Sequence, residues 1–152
     1  MWNYKDKQIK SHDDLPYNCT HIIYCIYYTD NTKYIGYKTV RTTKELPLLL
    51  NGKERPNRVD TKNRNKNGKR VTMEVVSVDK PFVNYEGSSE ENKGKTISHK
   101  EILLMTSSKR TATYLEVREL MRAGAIEPDT EYNNKNINRL WFDNCLEGLI
   151  ND

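Results

Sequence analysis

Tyr24 closes the tripeptide Ile22-Ile23-Tyr24, and ten residues later Tyr34 opens Tyr34-Ile35-Gly36. Tyrosine is a costly strand residue if packing is all it does, because each buried hydroxyl needs a partner. Two of them at this separation, beside Lys38 and Arg41, read as a site. Alternation along the second stretch puts Tyr34, Gly36 and Lys38 on one face. Gly36 then leaves space between a hydroxyl and an ammonium, a berth for a phosphate. A bulge or a close packing contact would also ask for glycine there.

Glu116 is the other residue whose type and place suggest chemistry. On a helix stepped at about 100° per residue from Ala112, the residues Tyr114, Val117, Leu120, Met121 and Ala123 share an apolar arc with Ala112. Glu116 falls at about 40°, inside that arc, while Arg118, Glu119 and Arg122 fall outside it. A carboxylate facing a core is expensive unless it is paired or binds a metal. Three readings stay open: a metal or catalytic role, a capping box from Thr113 to Glu116, or a buried pair with a lysine or arginine.

The elements that must hold these residues follow from patterning. Thr20–Tyr28 is rich in β-branched and aromatic residues and reads as a strand buried on both faces. Thr29-Asp30-Asn31-Thr32 is a turn by composition, and Lys33–Thr39 returns as the partner strand. Residues 42–50 read as a short helix interrupted at Pro47. Residues 70–78 alternate as a strand, and His99–Met105 reads as a third core strand. Ser107-Ser108 caps a helix over 109–123 that Gly124 ends. A last helix is expected over 138–149, with Leu140, Trp141, Cys145, Leu146 and Leu149 inward. Residues 1–19 read as a polar lead-in to a domain spanning 20–152.

The 152 residues carry a formal charge of +4, and mean hydropathy is −0.89. The charge is unevenly placed. Residues 53–70 hold eight cations (Lys53, Arg55, Arg58, Lys62, Arg64, Lys66, Lys69 and Arg70) against Glu54 and Asp60, a net of +6. A flexible basic stretch of this kind attracts polyanions by releasing their counterions; it is equally readable as a solvated loop. The apolar runs are too short to span a bilayer, and the first residues lack the apolar core of a signal peptide, so a cytoplasmic protein is expected. Cys19, Cys25 and Cys145 are too few and too scattered for a disulfide framework or a zinc site.

Taken together, these residues resemble the GIY-YIG nucleases. The two tyrosine tripeptides resemble the family's name-giving signature. Ala112-x-x-x-Glu116-x-x-x-Leu120 is similar to its glutamate helix, and Tyr132-Asn133-Asn134 resembles its terminal asparagine motif. Lys38 just beyond the second tripeptide, and the turn Tyr85-Glu86-Gly87-Ser88-Ser89, are similar to features of phage-encoded members. The sequence departs from the pattern in having Ile22 where the family has glycine. It also lacks a clear counterpart of the family's helix arginine, for which Arg41, Lys38 and Lys44 are candidates.

The resemblance implies an α+β fold with a small, mainly antiparallel three-stranded sheet flanked by helices. It implies metal-dependent hydrolysis of DNA phosphodiester bonds by an endonuclease acting in the cytoplasm of an infected bacterial host. One divalent ion, Mg²⁺ or Mn²⁺, would be held by Glu116. Tyr24 would be the general base, its phenol drawn down by nearby cations, and Tyr34 would orient water or phosphate. Lys38 or Arg41 would offset charge on phosphorus, and Asn133 or Asn134 would brace the metal site or the backbone. A catalytically weak nucleic-acid-binding or inhibitor protein on the same scaffold is the alternative.

Overall fold

The structure, a computed structural model, describes residues 1–53, 59–125, 127–137 and 140–141. It divides into two compact units, one formed by residues 1–40 and the chain from Pro81 onward, the other by Arg41–Lys80.

The larger unit is built on β3 (His21–Tyr28), whose eight residues are nearly all buried. The turn at residues 29–32 returns the chain as β4 (Lys33–Thr39), pairing Tyr24 with Gly36 and Ile22 with Lys38. On its other side β3 pairs antiparallel with β8 (Ile97–Thr106). Two edge strands complete the sheet: β1 (Trp2–Tyr4) runs parallel to β8, and β2 (Lys7–Ile9) folds back on β1. The order is β2-β1-β8-β3-β4.

The fold is α+β and mainly antiparallel, as expected, but this sheet has five strands where three were expected. The two extra strands come from residues 1–19, read from sequence as a lead-in. Trp2 and Ile9 are fully buried, and the Trp2 indole donates to Phe82 O at 2.9 Å. A polar stretch conceals two core anchors because each strand is only three residues long, too short for a period to show.

Burial on both faces of β3 follows from two separate cores. Ile22, Tyr24, Ile26 and Tyr28 pack with Trp2, Ile9, Val40 and Phe82 on one face. Ile23 and Cys25 pack with Ile35, Ala112 and Leu120 on the other. The second face is covered by the one α-helix among the described residues, α1 (Lys109–Arg122). Ser108 caps it, its hydroxyl accepting from Thr111 N at 3.1 Å. Gly124, at φ +62°, ends it, with Ala125 N donating to Leu120 O and Gly124 N to Met121 O. Those two bonds satisfy carbonyls that the helix end leaves open.

The smaller unit is an antiparallel sheet of β5 (Arg41–Pro47), β7 (Arg70–Asp79) and β6 (Val59–Arg64), in that order. Residues 42–50, expected as a helix, are strand as far as Pro47. Thr42, Lys44 and Glu45 stand opposite Val78, Val76 and Val75, so β-branched pairing overrides the local pattern. The basic stretch is likewise not a loop throughout. Val59–Arg64 and Arg70 onward form a hairpin, closed by Asn65–Lys69. Lys53, Lys62, Arg64, Lys66, Lys69 and Arg70 are exposed; Arg55 and Arg58 lie outside the described residues.

At the chain's end, β9 (Asn136–Ile137) pairs with β10 (Leu140–Trp141). The expected last helix is therefore extended backbone at Leu140 and Trp141, and the rest of it, with Cys145, lies outside the described residues. Cys19 and Cys25 are buried free thiols. No helix among the described residues is long and apolar enough to cross a membrane.

Candidate active site

Strand pairing brings Tyr24 and Tyr34 to one face, and the Tyr85–Ser89 turn closes over them. Tyr24 is 2% exposed, its ring centroid 5.3 Å from Trp2 and 5.9 Å from Tyr85. The pairing of β3 with β8 slips between Ile23 and Tyr24, leaving Leu103 as the extra residue. A bulge there re-aims the side chains beside it.

Gly36 has a tighter purpose than an open berth. A Cβ on it would lie 2.5 Å from Tyr24 Oη and 3.2 Å from Tyr34 Cε1. The space expected to hold a phosphate is filled by the Tyr24 hydroxyl itself, and glycine is needed because that hydroxyl rests on the backbone of β4.

Burial is the main cause that pushes the Tyr24 phenol far above its ordinary range; the Tyr85 and Tyr34 phenols and the Glu116 carboxylate push the same way. The direction is opposite to that of a phenol drawn down by cations, because burial dominates. Tyr34 is also raised, first by burial and then by Glu116 and Tyr85, while a hydrogen bond with Ser89 works against them. Lys38 extends from β4 with its ammonium 4.4 Å above the Tyr85 ring centre.

Glu116 stands on α1, near enough for its charge to act on the Tyr24 and Tyr34 phenols. Its neighbours Ala112 and Leu120 are buried, and Leu115, Val117 and Ala123 pack beside them. Tyr114 and Met121, expected in the apolar arc, are 63% and 56% exposed. The true inner face is centred nearer Glu116 than the sequence suggested. Burial raises its carboxyl to about 6, with a backbone N–H of Tyr37 pulling the other way. Neither commonplace explanation fits. Ser108 caps the helix, and Thr113 lies inside it, its hydroxyl donating to Lys109 O at 3.0 Å. No cation among the described residues forms an ion pair with Glu116, whereas Glu119 meets Arg118 at 3.1 Å and Arg122 at 3.6 Å.

The asparagines bind protein. Asn134 is 8% exposed and pairs with β4 as a strand would: Oδ1 accepts from Ile35 N at 3.1 Å, and Nδ2 donates to Ile35 O at 2.7 Å. Asn133 Nδ2 donates to Thr32 Oγ1 and to Asn92 Oδ1, both at 2.9 Å. Both brace backbone and turn. Arg41 opens the smaller unit, where its Nε lies 3.3 Å from Asp79 Oδ1; Lys44 lies exposed on β5 of the same unit.

Three contributors escape a sequence reading. Tyr85 stands over Tyr24, though only its turn drew notice. Lys100, 7% exposed, donates to Val83 O at 2.9 Å and Tyr85 O at 2.8 Å while lying 4.5 Å over the Trp2 ring, so it pins the chain where it enters the Tyr85–Ser89 turn. Burial pulls its ammonium below the usual lysine range. A lysine inside the apolar run of β8 was the available signal for it, and a lone tryptophan in a polar stretch was the signal for Trp2.

The site thus offers the Tyr24 and Tyr34 phenols, the Tyr85 ring under the Lys38 ammonium, and the half-buried Glu116 carboxylate, which has no ion pair among the described residues. Residues 2–137 match the model of a family described as "Putative endonuclease segE, GIY-YIG domain". No curated protein and no solved structure matches the chain. With the family match spanning both tyrosine strands, the glutamate helix and the asparagine clasp, the chain belongs to the SegE branch of the GIY-YIG endonucleases.

Proposed function

We propose that this protein is a metal-dependent DNA endonuclease that hydrolyses phosphodiester bonds at the Tyr24–Tyr34–Glu116 cluster. The observation that carries the reading is Glu116, a half-buried carboxylate on the inner face of α1 with no ion-pair partner among the described residues. Among those residues no group of three or more His, Cys, Asp or Glu could cage a metal. One carboxylate, with waters and phosphate oxygens filling the shell, suits Mg²⁺ or Mn²⁺. Such an ion, when bound, stabilises negative charge on the phosphate and the leaving oxygen.

The chain's own residues do the rest. Tyr24, protonated and fixed between Trp2 and Tyr85, holds the attacking water by a hydrogen bond rather than as a resting phenolate. Tyr34 orients the phosphate. Lys38, supported on the Tyr85 ring, offsets charge at phosphorus. Asn134 keeps β4 in register beneath them. The test is supercoiled plasmid incubated with Mg²⁺ and, separately, with EDTA. Nicking in the first and intact plasmid in the second is the expected result; intact plasmid in both, with salt-sensitive DNA binding retained, favours a non-catalytic binding protein. The observation behind that second reading is Arg41, which meets Asp79 in the smaller unit.

Proton and metal compete for the same carboxylate. At limiting Mg²⁺, single-turnover cleavage is expected to rise with unit slope up to about pH 6 and level off above it. A flat profile from pH 5 to pH 8, at about the same Mg²⁺, removes Glu116 as the metal ligand.

The β6–β7 hairpin supplies affinity rather than chemistry. If about four of its cations meet phosphates, they contribute roughly −3.6 to the log–log salt slope of DNA binding. Replacing Lys62, Arg64, Lys66, Lys69 and Arg70 by serine is expected to flatten the slope by about that amount and to weaken binding to unrelated sequences alike. Fluorescence anisotropy across a salt series checks it, and an unchanged slope rejects it.

A further inference from the structure

On the far side of the Tyr85–Ser89 turn lies a cleft of about 290 Å³, lined by Tyr28, Ser88, Ser89, Asn92, Lys93 and Lys95 among others. Two atoms of the residues that line it are anomalous. Tyr28 Oη and Asn92 Nδ2 are buried, and neither has a hydrogen-bond partner among the described residues. Their side chains belong to residues only 4% and 9% exposed. Leaving buried polar groups without partners is costly, so a native structure carries such a pair only for a reason.

The direction of the Asn92 amide is fixed by a chain of donors. The Thr32 hydroxyl donates to the Asp30 carboxylate. Its oxygen is thereby left to accept, and it does so from Lys95 Nζ at 2.8 Å and from Asn133 Nδ2 at 2.9 Å. With Asn133 Nδ2 turned that way, Asn92 must present Oδ1 to it, also at 2.9 Å. Asn92 Nδ2 is then left as a pure donor on a residue that lines the cleft. The charge of Asp30 thus sets the polarity of the wall. Lys95 is engaged with Asp30 at 2.9 Å and Lys93 lies 4.0 Å from Glu90, while Glu86 and Glu90 also line the cleft. Formal charges of the lining residues cancel, so neutral donors decide what fits.

We propose that this cleft is a second oxyanion subsite, taking a non-scissile phosphodiester of the bound nucleic acid through Asn92 Nδ2 and Tyr28 Oη. A diester carries one negative charge and only acceptors, matching two neutral donors in a cleft of zero net charge better than a phosphate dianion would. The site adjoins the candidate active site through a shared turn: Tyr85 Oη lies 3.4 Å from Ser88 Oγ. The inference rests on the nuclease reading for its ligand, but it can fail independently of it.

The experiment uses the full chain in EDTA, so no cleavage intervenes, with a duplex oligonucleotide as one probe and inorganic phosphate as the other. The Asn92 side-chain amide signal in a ¹⁵N spectrum is expected to shift saturably with the duplex. Tyr28→Phe is expected to weaken duplex binding about 3–10-fold, with the salt slope unchanged because neutral donors release no counterions, and with a melting temperature equal to or above the parent's. Asn92→Asp keeps the acceptor for Asn133 and replaces the free donor by a charge; a loss of at least about tenfold is expected. Tyr28→Phe binding with parental affinity, or an Asn92 signal unmoved by the duplex, overturns the proposal and leaves a buried water as the occupant. A response to inorganic phosphate alone overturns the diester assignment. Intact plasmid in Mg²⁺ with the Asn92 shift retained refutes the nuclease reading and upholds the subsite.

Discussion

Glu116→Gln is expected to abolish cleavage while making the folded protein more stable near pH 8. Loss of the charge that holds a divalent ion removes several kcal/mol of transition-state stabilisation, about 10³-fold or more in rate. The stability change has the opposite sign to an ordinary core lesion. The folded-state carboxyl titrates at about 6 against 4.5 for a free one. Between those values the folded protein holds a proton that the unfolded chain has lost, so stability falls as pH rises through the window and stays lower above it. Glutamine is spared that cost. The gain is about 1 kcal/mol after discounting the carboxylate's partial exposure to solvent, and it vanishes at about pH 4.5. Plasmid cleavage and thermal melts at both pH values test the pair of claims. Glu119→Gln, whose carboxylate meets Arg118 and Arg122 on the helix surface, is the control and is expected to change cleavage little. Parental cutting by Glu116→Gln defeats the metal assignment. Lost cutting together with lowered stability at both pH values assigns Glu116 to the fold.

Tyr24→Phe is expected to slow cleavage by about 10²–10³-fold, the usual consequence of removing one aimed donor from an active site. The ring contacts with Trp2 and Tyr85 persist, so stability falls by only about 0.5–1.5 kcal/mol. Single-turnover cleavage and DNA affinity, measured side by side, separate rate from binding. Tyr27→Phe serves as the comparison: its ring stacks on His99 at 4.2 Å, away from the Tyr24 cluster. The pH dependence distinguishes a donor from a base. A protonated Tyr24 gives a plateau above about pH 7, whereas a phenolate base would make the rate climb toward the phenol's own titration near pH 10. A Tyr24→Phe protein that cuts at the parental rate takes the hydroxyl out of the reaction.

Much of the site was legible because its residues violate local expectations. Tyrosines in a buried strand, and a glutamate on an apolar helix face, cost energy that packing alone does not return. Strand alternation and helical periodicity therefore singled out Tyr24, Tyr34 and Glu116, which the fold sets on β3, on β4 and on the inner face of α1. What was not legible depended on contacts distant in sequence. Trp2 anchors the core through Phe82, eighty residues away; nothing local reveals that. The pairing of β5 with β7 overrode a helical reading of residues 42–50, because the valine-rich partner strand lies about thirty residues on. The burial that raises the Tyr24 phenol comes likewise from contacts distant in sequence, with Trp2 and Tyr85. Sequence placed Lys38 near it, but the Lys38 ammonium lies over the Tyr85 ring.

The asparagine clasp also bears on how the protein behaves in a crowded solution. As the last strand of its sheet, β4 would present open N–H and C=O groups to any passing chain, a template for runaway self-association. Residues 131–134 occupy that margin. Lys33 N donates to Glu131 O at 2.9 Å, Asn133 N donates to Lys33 O at 2.7 Å, and Asn134 takes both backbone groups of Ile35. A fragment cut before Glu131 would keep both tyrosines and Glu116 yet expose this seam, so its loss of activity would come from aggregation rather than from damaged chemistry.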